Sequence, residues 1–112
     1  LALLHMHRKQ VEARGGRTQE VDVVGVRIGD FVLVTFPGEL TVEIGLDIKR
    51  RSNLPHTFVA GYSNGYLYYL PTEAQRRNAG YAQEDCDSIV APEWRRLFDE
   101  HVDSVLAKLG AP

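Results

Sequence analysis

Residues 31–60 constrain the fold of this chain more than any other stretch: FVLVTF, then PG, then ELTVEIGLDIKRR, then SNLP, then HTFVA. FVLVTF is apolar on both faces, the pattern of a central strand covered by helices, and Pro37-Gly38 breaks it. In the next run Leu40, Ile44 and Ile48 lie four apart and basic residues fill the last turn, which predicts a helix over 39–51. SNLP ends that helix and HTFVAGY reads as a second short buried strand. Strand, helix, strand is a βαβ unit, whose connection is right-handed and whose two strands run parallel in one sheet.

The flanking sequence extends this unit. In VDVVGVRI, residues 21–28, Val24, Val26 and Ile28 alternate with Val23, Gly25 and Arg27, as in a strand with one buried face. Gly29-Asp30 supplies a two-residue turn, so this strand and FVLVTF make a hairpin. Residues 1–14 read as an amphipathic helix ended by Gly15-Gly16. GYSNGYLYYLPT, residues 61–72, reads as a loop, and Thr72 as the cap of a short helix through about Arg77. After the polar loop NAGYAQEDCDS, Pro92 suits the first turn of a last helix. Its stripe is Trp94, Leu97, Phe98, Val102, Val105, Leu106 and Leu109, and Gly110 closes it. The expected fold is α/β: a β-hairpin leading into a βαβ unit with flanking helices, within a larger mixed sheet. Leu1, Leu4 and Val11 suit a helix already under way at the first residue, so residues 1–112 read as one piece, the C-terminal portion of a larger domain.

Charge narrows the functional classes. A formal charge of −2 with scattered basic residues gives no field for nucleic acid or an anionic membrane. No apolar run approaches the roughly 18 residues of a membrane span. One cysteine, Cys86, excludes an internal disulfide framework and a multi-cysteine zinc knuckle. Its neighbours Glu84, Asp85 and Asp87 disfavour the thiolate a nucleophile needs.

Parallel strands send their C-terminal ends to one edge, where open α/β sheets bind ligands. Pro37, Gly38 and Glu39 follow the first parallel strand, and Tyr62, Tyr66, Tyr68 and Tyr69 follow the second. Glu39 and the tyrosines therefore face one another across that edge. Two bland roles remain open at this point. Glu39 suits the first turn of a helix as a plain favourable charge, and the rings suit a cover for the sheet edge.

The residues at these two places resemble the neutral/alkaline ceramidase family, and more closely its bacterial ceramidase-like proteins. In that family a Glu-Phe-Thr stretch follows one strand, with a glycine further along the same helix. A Gly-x-x-Asn-x-Tyr-x-x-Tyr-x-Thr-Thr stretch follows the next, with a Tyr-Glu pair beyond. Glu39, Thr41 and Gly45 match the first stretch; Asn64, Tyr66, Tyr69, Thr72 and Tyr81 fall in the places of the second without gaps. The likeness spans about residues 20–85. It implies a zinc-dependent amidohydrolase acting on an N-acyl, ceramide-like amide, secreted or periplasmic. Glu39 and Tyr69 would be two zinc ligands, and two histidines from missing upstream sequence would complete the set. Asn64, Tyr66 and Tyr81 would shape or line the substrate site.

The pattern also departs from the family. Pro71 stands where the first threonine of the Thr-Thr pair is expected, Ala82 where the glutamate of the Tyr-Glu pair is, and Glu73-Ala74-Gln75-Arg76 where a Tyr-Glu-Glu-Tyr segment is. A smaller amide or another acyl substrate therefore fits as well as a lipid amide. His5 and His7, two apart on a helix, point away from each other; His56 and His101 read as structural. The reading from a different class is a non-catalytic α/β module on the same scaffold that binds a partner through the tyrosine-rich loop.

Overall fold

The hairpin and the βαβ unit both form. In a computed structural model, which describes residues 2–77 and 88–111, strand β1 (Gly25–Ile28) pairs antiparallel with β2 (Phe31–Thr35). β2 in turn pairs parallel with β4 (His56–Ala60), so the sheet order is β1-β2-β4. Gly29 makes the turn at φ 60°, a left-handed conformation that glycine adopts without steric cost. The architecture is α/β, with a small sheet.

A second, two-residue parallel pair forms beside it: β3 (Glu39–Leu40) with β5 (Tyr69–Leu70), Glu39 opposite Tyr69 and Leu40 opposite Leu70. This corrects the expected helix start. The Glu39 N–H donates to the Tyr68 carbonyl at 2.9 Å, so the ladder captures residues 39 and 40. Helix α2 (Val42–Arg51) begins only after Thr41 as N-cap. Residues 61–72 are accordingly not all loop, since Tyr69 and Leu70 are strand.

Helix α4 (Trp94–Gly110) buries Phe98, Val102 and Leu106, while Leu97, expected in the apolar stripe, is exposed. These residues share one core with Val32 and Val34 of β2 and Ile44 and Ile48 of α2. Both helices thus cover the same face of the sheet. The expectation of a central strand covered on both faces fails: β2 alternates between buried and more open positions. The hairpin also turns the other way round from its alternation, with Val24, Val26 and Ile28 exposed and Gly25 inward. The reason lies at Gly25, where a Cβ would overlap Val105 Cγ1 and lie 2.9 Å from Leu109 Cδ1. Its missing side chain lets α4 lie against β1, and Arg27 Nη1 on the same face donates to the Leu109 carbonyl at 2.6 Å.

Charge fastens α2 to α4. Arg95 bridges Asp47 at 2.8 Å and Asp99 at 2.6 Å, and Arg51 reaches Asp99 at 2.7 Å and also pairs with Asp103. Asp47 and Asp99 are about two-thirds shielded from water, so these pairs are screened less than surface ones. Helix α1 (Ala2–Arg14) meets the rest through buried His7, while Met6 and Val11 are exposed. Short helix α3 (Glu73–Arg76) has Thr72 as its N-cap, as the sequence suggests, and a reciprocal capping box with Gln75 as well. Among the described residues, no helix is long and apolar enough to cross a membrane.

Candidate functional site

The site is built on three consecutive carbonyls at the break after β2. Phe36, Pro37 and Gly38 accept hydrogen bonds from the N–H groups of Ser63, Leu67 and Tyr62, at 3.0, 2.7 and 3.1 Å. The tyrosine-rich loop therefore wraps the Pro-Gly break, and Gly38 is the tight point. A Cβ there would overlap Leu70 Cδ1 and lie 3.0 Å from the Tyr68 carbonyl. Asn64 ties the loop to β2 through a long hydrogen bond, Nδ2 to Thr35 Oγ1 at 3.4 Å. Thr35 Oγ1 also accepts from the Val24 N–H at 2.9 Å.

This wrapping holds three non-glycine residues in the left-handed region: Tyr62 at φ 56°, Asn64 at 62° and Tyr68 at 60°. Each costs on the order of 1–3 kcal/mol and persists only where surrounding contacts over-determine it. The contacts here are the three carbonyl bonds and a chain of rings. Tyr62 stacks on Tyr66 at 5.8 Å and 12°, Tyr66 meets Tyr68 at 4.9 Å, and Tyr68 meets His7 edge-on at 4.4 Å.

The tyrosine hydroxyls converge on Glu39. Tyr66 makes the close hydrogen bond to Glu39 Oε1, and the Tyr62 and Tyr69 phenols also favour the ionised carboxylate. Desolvation pushes the Glu39 carboxyl up, but the bonds from Tyr66, Tyr62 and Tyr69 outweigh it and hold the group below its ordinary value. The reverse effect acts on the phenols. The hydrogen bond to Glu39, with desolvation and the carboxylate charge adding to it, pushes Tyr66 up to about 12. Tyr62 is raised for the same reasons. At neutral pH the cluster is an anionic carboxylate held by neutral phenols, and none of the ion pairs among the described residues includes Glu39. Beside Tyr66 lies a shallow cavity of about 270 Å³, lined by Glu20, Asp22, Pro37, Asn64 and Leu67 among others.

Of the residues singled out in the sequence, Glu39, Tyr66 and Tyr69 meet directly, and Asn64 lies in the same loop. Glu39 sits in β3, before the N-cap of α2, so its charge is held by phenols and not by a helix N-terminus. Tyr81 and Cys86 lie outside the described residues. His5 is exposed while His7 is buried, consistent with side chains that diverge along α1; His56 and His101 are both exposed. Sequence reasoning missed the stacking of Tyr62 on Tyr66 and His7 at the end of the ring chain. The left-handed backbone that aims Tyr62 has no signature in a tyrosine codon position, whereas Gly65 nearby does mark the turn.

Glu39 and Tyr69 are opposite one another in the β3–β5 ladder, and the Tyr69 phenol is among the groups that favour the ionised Glu39 carboxyl. Among the described residues no group of three or more His, Cys, Asp and Glu side chains gathers to hold a metal. A search of protein-family models, of curated proteins and of solved structures found no match to this chain.

Proposed function

We propose that this chain is part of a zinc-dependent amidohydrolase that resembles neutral ceramidase and hydrolyses an N-acyl amide. The observation that carries the reading is the meeting of Glu39 and Tyr69. They are opposite one another in the β3–β5 ladder, and the Tyr69 phenol helps to hold the Glu39 carboxyl ionised. The ceramidase-like pattern assigns a metal to these two side chains. In the proposal Glu39 and Tyr69 hold the zinc, and further donors complete the three or more protein ligands that a catalytic site uses. When bound, such an ion polarises an amide carbonyl and brings the pKa of its water to about 7. Tyr66 orients the Glu39 carboxylate, and Asn64 fixes the loop that carries both tyrosines.

The test is zinc content by elemental analysis of the full-length protein, upstream histidines included, purified without chelators and supplied with zinc, beside Glu39→Ala and Tyr69→Phe. About one zinc per chain in the parent, largely lost in both variants, is the expected result. Absence of zinc from the parent overturns the reading. The exposed tyrosines then favour the other class, a binding module using the same loop, because Tyr62 and Tyr66 are 65% and 48% exposed.

A further inference from the structure

We propose that His7 is a positioning residue for the Glu39–Tyr69 pair, acting from helix α1 through Tyr68. What this says about metal rests on the hydrolase reading; what it says about backbone geometry does not.

Helix α1 is open to water along most of its length. Among its described side chains His7 alone is buried, at 5% exposure, and Gln10 is half-buried one turn further on. The imidazole meets the Tyr68 ring edge-on, with centroids 4.4 Å apart. Such aromatic pairs hold both rings in place beyond the area they bury.

Tyr68 is a residue that needs holding. Its φ of 60° is a left-handed conformation, which a non-glycine residue keeps only where its neighbours over-determine it. The carbonyl of this residue accepts the Glu39 N–H at 2.9 Å, a bond that joins β3 to β5 with Glu39 opposite Tyr69. If Tyr68 left the left-handed region, the peptide unit that follows it would turn, and the carbonyl would swing away from Glu39. The fit there is close, since a Cβ on Gly38 would lie 3.0 Å from the same carbonyl. On its other side the Tyr68 ring meets Tyr66 at 4.9 Å, and Tyr66 binds Glu39 Oε1. One imidazole therefore braces both the backbone and the carboxylate of Glu39. A bridge to Ser88 also restrains Tyr68, so loss of His7 should loosen the pair without dismantling it.

The test reads amide hydrogen exchange in the full-length protein without metal. The Glu39 amide reports the bond to Tyr68, and the Thr35 amide, which donates to the Val24 carbonyl at 2.8 Å, serves as the control within the main sheet. His7→Ala should speed exchange at Glu39 about three- to tenfold, the worth of one aromatic pair, and leave Thr35 unchanged. His7→Phe, which keeps a ring beside Tyr68, should restore slow exchange. With zinc supplied, His7→Ala should bind it about tenfold more weakly than the parent, and His7→Phe as well as the parent. Unchanged exchange at Glu39, equal acceleration at Thr35, or no rescue by His7→Phe would each overturn the proposal. If the parent holds no zinc, the hydrolase reading fails and the exchange rates alone decide the role of His7.

Discussion

Glu39 and Tyr66 are one titrating unit, and each should report on the other. The folded-state pKa of Glu39 lies below its unfolded value, so its bonds add stability above that unfolded value, and the contribution is lost as pH falls through the folded pKa. Tyr66 behaves oppositely. Its raised folded pKa gives stability that is fully present below the unfolded value near 10 and lost as pH rises through about 12. Glu39→Gln should therefore return the Tyr66 phenol towards 10, read as tyrosinate absorbance during a pH titration. Tyr66→Phe should raise the carboxyl pKa of Glu39, read by NMR. A Tyr66 titration unmoved by Glu39→Gln would falsify the hydrogen bond between them. The rest of the site was partly legible before folding. The order of Glu39 and the tyrosines along the chain, together with the handedness of a βαβ unit, brings them to one edge. Which hydroxyl reaches the carboxylate depends on left-handed backbone at Tyr62 and Tyr68, which local sequence does not encode.

The same division holds for whole elements. The hairpin, α2, α4 and the parallel pairing of β2 with β4 follow from periodicity and turn chemistry. The inward face of β1 does not, because alternation counts apolar side chains and overlooks what a missing one permits. Gly25 is the case in point: Gly25→Ala adds one methyl group where Val105 and Leu109 already lie. Helix α4 must then shift away from β1, at a cost of about 1–3 kcal/mol, measured by chemical denaturation. The two-residue β3–β5 ladder was equally invisible, since neither half is long enough to show a period. Between α2 and α4 the ionic cluster makes a pH prediction. Desolvation raises Asp47, yet Arg51, Arg95 and Arg50 more than offset this and hold it below its ordinary value. Its contribution is present above the unfolded pKa and disappears as pH falls through the folded one. Asp47→Asn should hence destabilise the protein at pH 7 and make little difference at the acid end of the same denaturation series. A destabilisation that is constant across pH would mean that lost packing, and not charge, fastens the two helices.

At the scale of the molecule, the sheet is two-sided in composition but one-sided in packing. Residues of α2 and α4 cover the face carrying Val32 and Val34, while Val24, Val26, Ile28, Phe31 and Phe58 lie exposed on the other. Phe31 and Phe58 stack at 5.3 Å, and Lys49 stands over the Phe58 ring. Contiguous apolar surface of this kind is uncommon on soluble monomers. Because side chains alternate along a strand, two neighbouring substitutions should part sharply. Ile28 is 71% exposed, so Ile28→Lys should leave the denaturation midpoint nearly unchanged, within about 0.5 kcal/mol. It should also lower the fluorescence of a dye that binds apolar surface, such as anilinonaphthalene sulfonate. Val32 is fully buried, and Val32→Lys places an unpaired charge in the core, which costs several kcal/mol and should prevent folding. If Ile28→Lys proved as damaging as Val32→Lys, the open face would have to be packed in solution, and the sheet would be a layer within a larger assembly and not its surface.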